Sequence, residues 1–163
     1  MKGSPRSLIV VAPTPPPVFG HSVLTLSILA ALQRIGLLAA HIDTRDARDL
    51  ENLNRLDFEN VRLGLLAAAR LVVTMRRHPE AGIYMQISQG RWGFLRDALW
   101  IWLGRAFRRP VYLHVLGGRF DNFYYESGAP MRRFIRVTMR QAEAHWILTP
   151  SLSTDLDPVA RSE

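Results

Sequence analysis

Five short apolar runs, each followed by a longer stretch of helical periodicity, constrain this chain more than any other feature. They are Ser7-Leu8-Ile9-Val10-Val11-Ala12, Leu37 to Asp43, Gly82-Ile83-Tyr84-Met85-Gln86-Ile87, Val111-Tyr112-Leu113-His114-Val115 and His145-Trp146-Ile147-Leu148-Thr149. Strands alternating with helices build a parallel sheet, and the first run, apolar without polar alternation, reads as a central strand buried on both faces. Helices are expected over residues 22–35, with Gly36 as cap, over 61–77, over 91–107, and from about Pro130. In the first, Leu24, Ile28, Ala31, Leu32 and Ile35 form the stripe of a buried crossover helix. In the third, Leu95, Leu99, Trp102, Leu103 and Ala106 share a face. In the last, Met131, Phe134, Ile135, Thr138, Met139 and Ala142 oppose a stripe of Arg132, Arg136 and Arg140. Thr44 to Asn60 reads as an irregular connection, and Phe123-Tyr124-Tyr125 as an aromatic loop. The expected fold is α/β, a Rossmann-like open parallel sheet of about five strands in the order 3-2-1-4-5 with helices on both faces.

The 163 residues fit a single domain that buries about two-thirds of its unfolded surface. The chain has no cysteine, which excludes a disulfide scaffold and thiolate metal sites and fits a cytoplasmic location. The N-terminal apolar run is too short for a signal peptide, and no stretch reaches the length of a spanning helix. The net charge of +7 rests on arginine, Lys2 being the one lysine, so phosphates, anionic lipids or nucleic acid are the natural counter-charges. Without a recognition-helix motif, and with most aromatics on expected core faces, nucleic acid is not the expected partner. No Gly-x-Ser-x-Gly elbow supports a hydrolase, and His21, His41, His78 and His145 lack the spacing of metal ligands.

Two places could carry chemistry. Gly20-His21-Ser22 joins the first strand to a helix, where unpaired N–H groups and the helix dipole form an anion site. The structural alternative is that Gly20 turns the chain and Ser22 caps the helix. His114 lies near the carboxyl end of the fourth strand and precedes Gly117-Gly118, at the edge where open α/β sheets bind ligands. A hydrogen-bonded core histidine is its plainer reading. Ser88 and Arg96 leave the third strand toward the same edge; Arg96 could hold an anion through its planar fork, or pair with Asp97.

Four pieces in order resemble the N-terminal domain of the family 4 (group 1) retaining glycosyltransferases, whose B-type fold sets two Rossmann-like domains face to face. They are Ile9-Val10-Val11-Ala12-Pro13 leading to Gly20; Gln86-Ile87-Ser88-Gln89-Gly90 with Phe94-Leu95-Arg96-Asp97-Ala98-Leu99; Pro110-Val111-Tyr112-Leu113-His114-Val115-Leu116-Gly117-Gly118-Arg119-Phe120; and Trp146-Ile147-Leu148-Thr149-Pro150-Ser151. The resemblance spans nearly the whole chain. It implies a nucleotide-sugar donor as substrate, no resident cofactor and no required metal. It assigns Gly20 to the approach of the donor diphosphate, His114 to the transferred sugar as an orienting group, and Ser88, Arg96, Gly117, Gly118 and Arg119 to the acceptor side of the cleft.

On this reading residues 1–163 are the acceptor-side domain, and the C-terminal Rossmann-like, donor-binding domain is absent from the chain, so these residues alone are not expected to transfer sugar. A glycan or lipid-linked envelope acceptor is the implied partner. The surface left by the absent half is expected to be partly apolar and to promote self-association. Arg132, Arg133, Arg136 and Arg140 are the expected contact with an anionic inner membrane leaflet, at roughly 1 kcal/mol per well-placed charge; Trp100 would add an anchor if it falls off the buried face of its helix, a core role being its plainer reading. The alternative of a different class is a non-catalytic Rossmann-like binding or interaction module.

Overall fold

The computed structural model describes residues 5–46 and 57–159. Its five strands are β1 (Ser7–Ala12), β2 (Leu38–Asp43), β3 (Ala81–Gln86), β4 (Val111–Val115) and β5 (Ala144–Ile147). The helices are α1 (Gly20–Arg34), α2 (Phe58–Arg77), α3 (Arg91–Ala106), α4 (Phe120–Glu126) and α5 (Ala129–Met139), followed by a 3-10 segment over Pro150–Leu156. All strand pairs are parallel, in one Rossmann-like open sheet.

The strand order is β2-β1-β3-β4-β5, not the expected 3-2-1-4-5. The reason lies in the second and third runs. Every residue of β3 is buried, whereas β2, Leu-Ala-Ala-His-Ile-Asp, is only half covered. A strand buried on both faces belongs inside a sheet, and one carrying His41 and Asp43 suits an edge. β3 therefore lies between β1 and β4, and β2, still paired with β1, becomes the edge strand.

Right-handed crossovers then distribute the helices. The step from β1 to β2 runs one way and puts α1 on one face; the remaining steps run the other way and put α2, α3 and α5 on the opposite face. On that second face Ile9, Val11, Ile83, Met85, Leu113 and Val115 pack with Leu71, Met75, Phe94, Ile101, Ile135 and Met139 in one continuous core. Each fully buried side chain of this size contributes roughly 1.5–3 kcal/mol. On the α1 face the core is smaller: Leu8, Val10, Ala12 and Tyr84 meet Ile28, Leu29 and Leu32.

Three helical expectations are corrected by this packing. α1 is not a buried crossover: its buried residues are Ser22 and Thr25, while Val23, Leu26, Ala31 and Ile35 are exposed. The Leu95, Leu99, Trp102 and Ala106 stripe of α3 faces outward, because Phe94, Ala98, Trp100, Ile101 and Gly104 supply the inward face. Trp100 is 2% exposed and donates its indole N–H to the Gly64 carbonyl at 3.1 Å, so it is no membrane anchor. The stretch 123–125 is part of α4, with Tyr124 buried, rather than a loop. α5 does show the expected division, with Ile135, Thr138 and Met139 inward. Of the connection read over Thr44 to Asn60, residues 47–56 lie outside the described residues, as does Lys2.

Gly36 sits at φ +70° just past α1, the left-handed cap its position in the sequence implies; Arg108 occupies the same region at φ 56° after α3. Gly104 has a different role, since a Cβ there would lie 2.8 Å from both Ile83 Cδ1 and Val111 Cγ2. It is the point at which α3 touches the sheet. Gly104→Ala is therefore expected to destabilise the protein by about 1–3 kcal/mol through overpacking despite alanine's better helix propensity. Urea unfolding checks this, and an unchanged or raised midpoint would contradict the close contact.

Candidate functional site

Reversal of chain direction between β1 and β3 makes their carboxyl ends the switch point of the sheet, where diverging crossovers leave a crevice. A cavity of about 290 Å³ lies there, lined by Phe19 and His21 after β1, by Gln86 to Gln89 at the end of β3, and by Thr44, Arg96 and Trp100. The proline-rich loop on its wall is tied to β2. Asp43 accepts the Thr14 hydroxyl at 2.6 Å and the Thr14 N–H at 3.1 Å.

The floor is organised by Asp97, which is fully buried. One of its oxygens accepts the Ser88 N–H at 2.7 Å, and the other accepts Arg96 Nε at 3.0 Å and Nη2 at 2.8 Å. Arg96 also donates to the Ser88 hydroxyl at 3.2 Å and stacks 4.8 Å above the Trp100 ring. A buried carboxylate needs such partners. Arg96 thus forms the Asp97 pair weighed from the sequence while still bordering the cavity.

Gln86 was not singled out from the sequence, yet its geometry is the most specific in the cavity. It is 7% exposed and in contact with the Tyr84 phenol, and among the described residues its buried Oε1 has no partner in hydrogen-bond geometry. Its amide orientation follows from its neighbour. The Thr25 hydroxyl donates its only proton to the His21 carbonyl at 2.9 Å, so Thr25 must accept, and Gln86 Nε2 donates to it at 2.9 Å. The carbonyl oxygen is left as an acceptor, and an unpaired buried acceptor costs about 1–3 kcal/mol. The signal available in the sequence was a polar residue ending a strand otherwise buried throughout.

Above this floor α1 begins at Gly20 with Phe19 as N-cap and no capping bond from that side chain. Ser22 caps the helix as expected, though from the third helical position rather than as the N-cap residue. It lies one turn inside, where its hydroxyl accepts the Phe19 N–H at 3.1 Å and donates toward the Pro17 and Phe19 carbonyls. A Cβ at Gly20 would meet nothing within 4 Å, so neither packing nor a left-handed backbone demands glycine there. α3 and α5, whose N-caps are Gly90 and Gly128, likewise lack a side-chain cap and an acid in the first turn. By contrast, α2 is capped by Asp57 and carries Glu59. The N-termini of α1, α3 and α5 at the carboxyl edge offer N–H donors to an anion.

A second hollow, of about 670 Å³, lies beside the first and shares Gln89 with it; Arg91, Arg119, Asn122, Ser127 and Met131 also line it. The smaller cavity is the better candidate centre despite its size, because it holds the switch point and the unpaired Gln86 oxygen. Gln89 joins the two by donating to the Gly117 carbonyl at 2.6 Å, and a Cβ at Gly117 would lie 2.5 Å from Gln89 Oε1.

The structure therefore divides the sequence candidates. Ser88 and Arg96 share the smaller cavity with His21, the neighbour of Gly20. Arg119 lines the larger hollow, Gly117 braces Gln89, and Gly118 is an exposed loop residue. His114 lies at the same sheet edge, paired in register with Gln86, on the face covered by α1. Its Nδ1 is 2.7 Å from the Tyr84 hydroxyl. Burial pushes the Tyr84 phenol up, against the opposing effect of its side-chain contact with Gln86, so the hydroxyl keeps its proton, and the Tyr84–His114 bond can run in either direction according to the imidazole tautomer. His114 is lowered from 6.5 by burial and then by His21; His21 is lowered by burial against the opposing pull of Asp97.

Comparison with family models, with curated proteins and with solved structures returns no match for this chain.

Both imidazoles have folded-state values below 6.5, so the unfolded chain binds more protons as pH falls through 6.5 and below. Stability is accordingly expected to decline from pH 7.5 to 5.5. Denaturant midpoints should show a smaller decline in His114→Gln than in the parent chain; an identical decline would contradict burial of a neutral His114.

Proposed function

We propose that this chain is the acceptor-side, Rossmann-like domain of a nucleotide-sugar-dependent retaining glycosyltransferase. The observation that carries the reading is the combination in the smaller cavity of an α1 N-terminus whose N-cap residue, Phe19, supplies no side-chain acceptor, so that first-turn N–H groups can meet phosphate, and the Gln86 oxygen, which can accept a hydroxyl. A phosphorylated polyol presents both groups. The four sequence pieces that resemble the glycosyltransferase family all contribute to this sheet or its carboxyl edge, and the second hollow gives room for an acceptor that extends past Gln89.

In the proposed division of labour, the N–H groups at Gly20 and His21 face the diphosphate, and Gln86 accepts a hydroxyl. Arg96, paired with Asp97 and stacked on Trp100, offers guanidinium N–H donors beside the developing anion rather than net positive charge. His114, with Nδ1 bonded to the Tyr84 hydroxyl, has Nε2 to orient a sugar hydroxyl as donor or acceptor. It is a neutral orienting group in this role rather than a nucleophile. In retaining transfer on the front face of the sugar, the leaving phosphate assists the incoming hydroxyl, so the domain's contribution is to position and neutralise.

Calorimetric titration tests this with a uridine diphosphate sugar, a sugar 1-phosphate and the free sugar. The phosphorylated ligands are expected to bind and the free sugar to give no measurable heat. Gln86→Leu, which removes one buried acceptor, should weaken binding about five- to tenfold. Absence of binding by every phosphorylated sugar, or equal affinity in Gln86→Leu, would overturn the proposal and favour the non-catalytic interaction module.

A further inference from the structure

We propose that the outer face of α2 and α3 is a docking surface for an anionic lipid bilayer. The inward side of α2 is supplied by Gly64, Ala67, Ala68, Leu71 and Met75. The opposite side nevertheless exposes Phe58, Val61, Leu65, Leu66 and Val73, with Phe58 82% and Leu65 57% exposed. The neighbouring α3 exposes Trp92, Leu95, Leu99 and Trp102. These two adjacent helices, joined by the Trp100–Gly64 hydrogen bond, thus display large apolar side chains where the interior is already filled. A surface of this kind marks an interaction site.

Charge selects the occupant. Arg62, Arg70, Arg76 and Arg77 on α2, with Arg91 and Arg105 on α3, are exposed among the apolar residues. The acids of these two helices are Glu59, bonded to Arg62, and Asp97, which is buried. The core of a protein interface is depleted in charge, whereas an interfacial helix interleaves large apolar residues with arginines that reach past them to lipid headgroups. Trp92 supplies the amphipathic ring favoured at that depth, while Trp102, whose indole N–H is donated to Thr138, adds apolar surface. A two-fold dimer through this face would set arginine against arginine. Nucleic acid would satisfy the arginines and leave Phe58, Leu65 and Leu99 in water.

The docking face differs from the α5 patch expected from the sequence, where the Arg136 guanidinium is engaged by Tyr124. It also has a defined relation to the cavities. α3 starts at the sheet's carboxyl edge, immediately after Gly90 on the larger hollow, so Trp92 and the bilayer surface stand next to the cavity mouth.

Vesicle flotation of the chain tests the proposal, using phosphatidylcholine alone and phosphatidylcholine mixed with phosphatidylglycerol. Binding is expected on the mixed vesicles, falling as salt rises. Two variants probe the separate components: Leu65→Ser with Trp92→Ser and Leu99→Ser, and Arg62, Arg70, Arg91 and Arg105 each changed to Gln. Each should bind at least about tenfold more weakly. If the apolar variant melts at a lower temperature, the arginine variant carries the comparison. Equal binding to both lipids, or undiminished binding by a variant that melts like the parent chain, would overturn the proposal. So would a lipid-free dimer dissolved by the same substitutions, or duplex DNA bound through this face more tightly than vesicles.

Discussion

A right-twisted strand accepts almost only a right-handed crossover, and the arrangement of this molecule depends on that constraint. One step from β1 to β2 in one direction, followed by steps in the other, puts α1 alone on one face of the sheet and α2, α3 and α5 on the other. The same reversal separates the connections leaving β1 and β3. Their carboxyl ends therefore open into a crevice between Phe19-His21 and Ser88-Gln89. Fold and candidate site have one cause, so the site follows from topology before any particular side chain is considered.

Within that crevice the side chains are held by a small number of polar commitments. Asp97 fixes the β3 exit through Ser88 and turns Arg96 toward Trp100. Thr25 spends its hydroxyl proton on its own helix and thereby orients Gln86. Tyr84 fixes His114. The result is a floor whose donors and acceptors are mostly paired internally, with Gln86 Oε1 left over and the first turn of α1 above it. The selectivity proposed for this cavity comes from that remainder: a phosphate oxygen fits the helix end, a hydroxyl fits the amide oxygen, and an apolar ligand fits neither.

How much could be read in the sequence varied with how one-sided each element is. α5 was legible because Arg132, Arg133 and Arg136 leave a single apolar side for the core. α1 and α3 are apolar around most of their circumference, and periodicity then shows a helix without showing which side turns inward; Leu95 and Leu99 were assigned to a core that Phe94, Ala98 and Ile101 fill instead. Strand positions were recovered to within a residue or two, but their order required weighing the completely buried β3 against the half-covered β2. His114 and Ser88 could be referred to the carboxyl edge from their places after or near strand ends. His21 and Gln86 were not brought together, because their relation passes through Thr25 and exists only once α1 lies across β3.

Binding of a phosphate-bearing polyol in the β1–β3 crevice, as proposed, is tested more directly by its location than by its affinity. Backbone amide resonances of the isotope-labelled chain, followed by NMR during titration with a uridine diphosphate sugar, report that location. Shifts are expected to concentrate at Gly20, His21, Ser88 and Gln89, with the Gln86 side-chain amide moving among them. Shifts confined to surfaces away from this crevice, or no shifts at ligand concentrations that saturate a weak site, would contradict it.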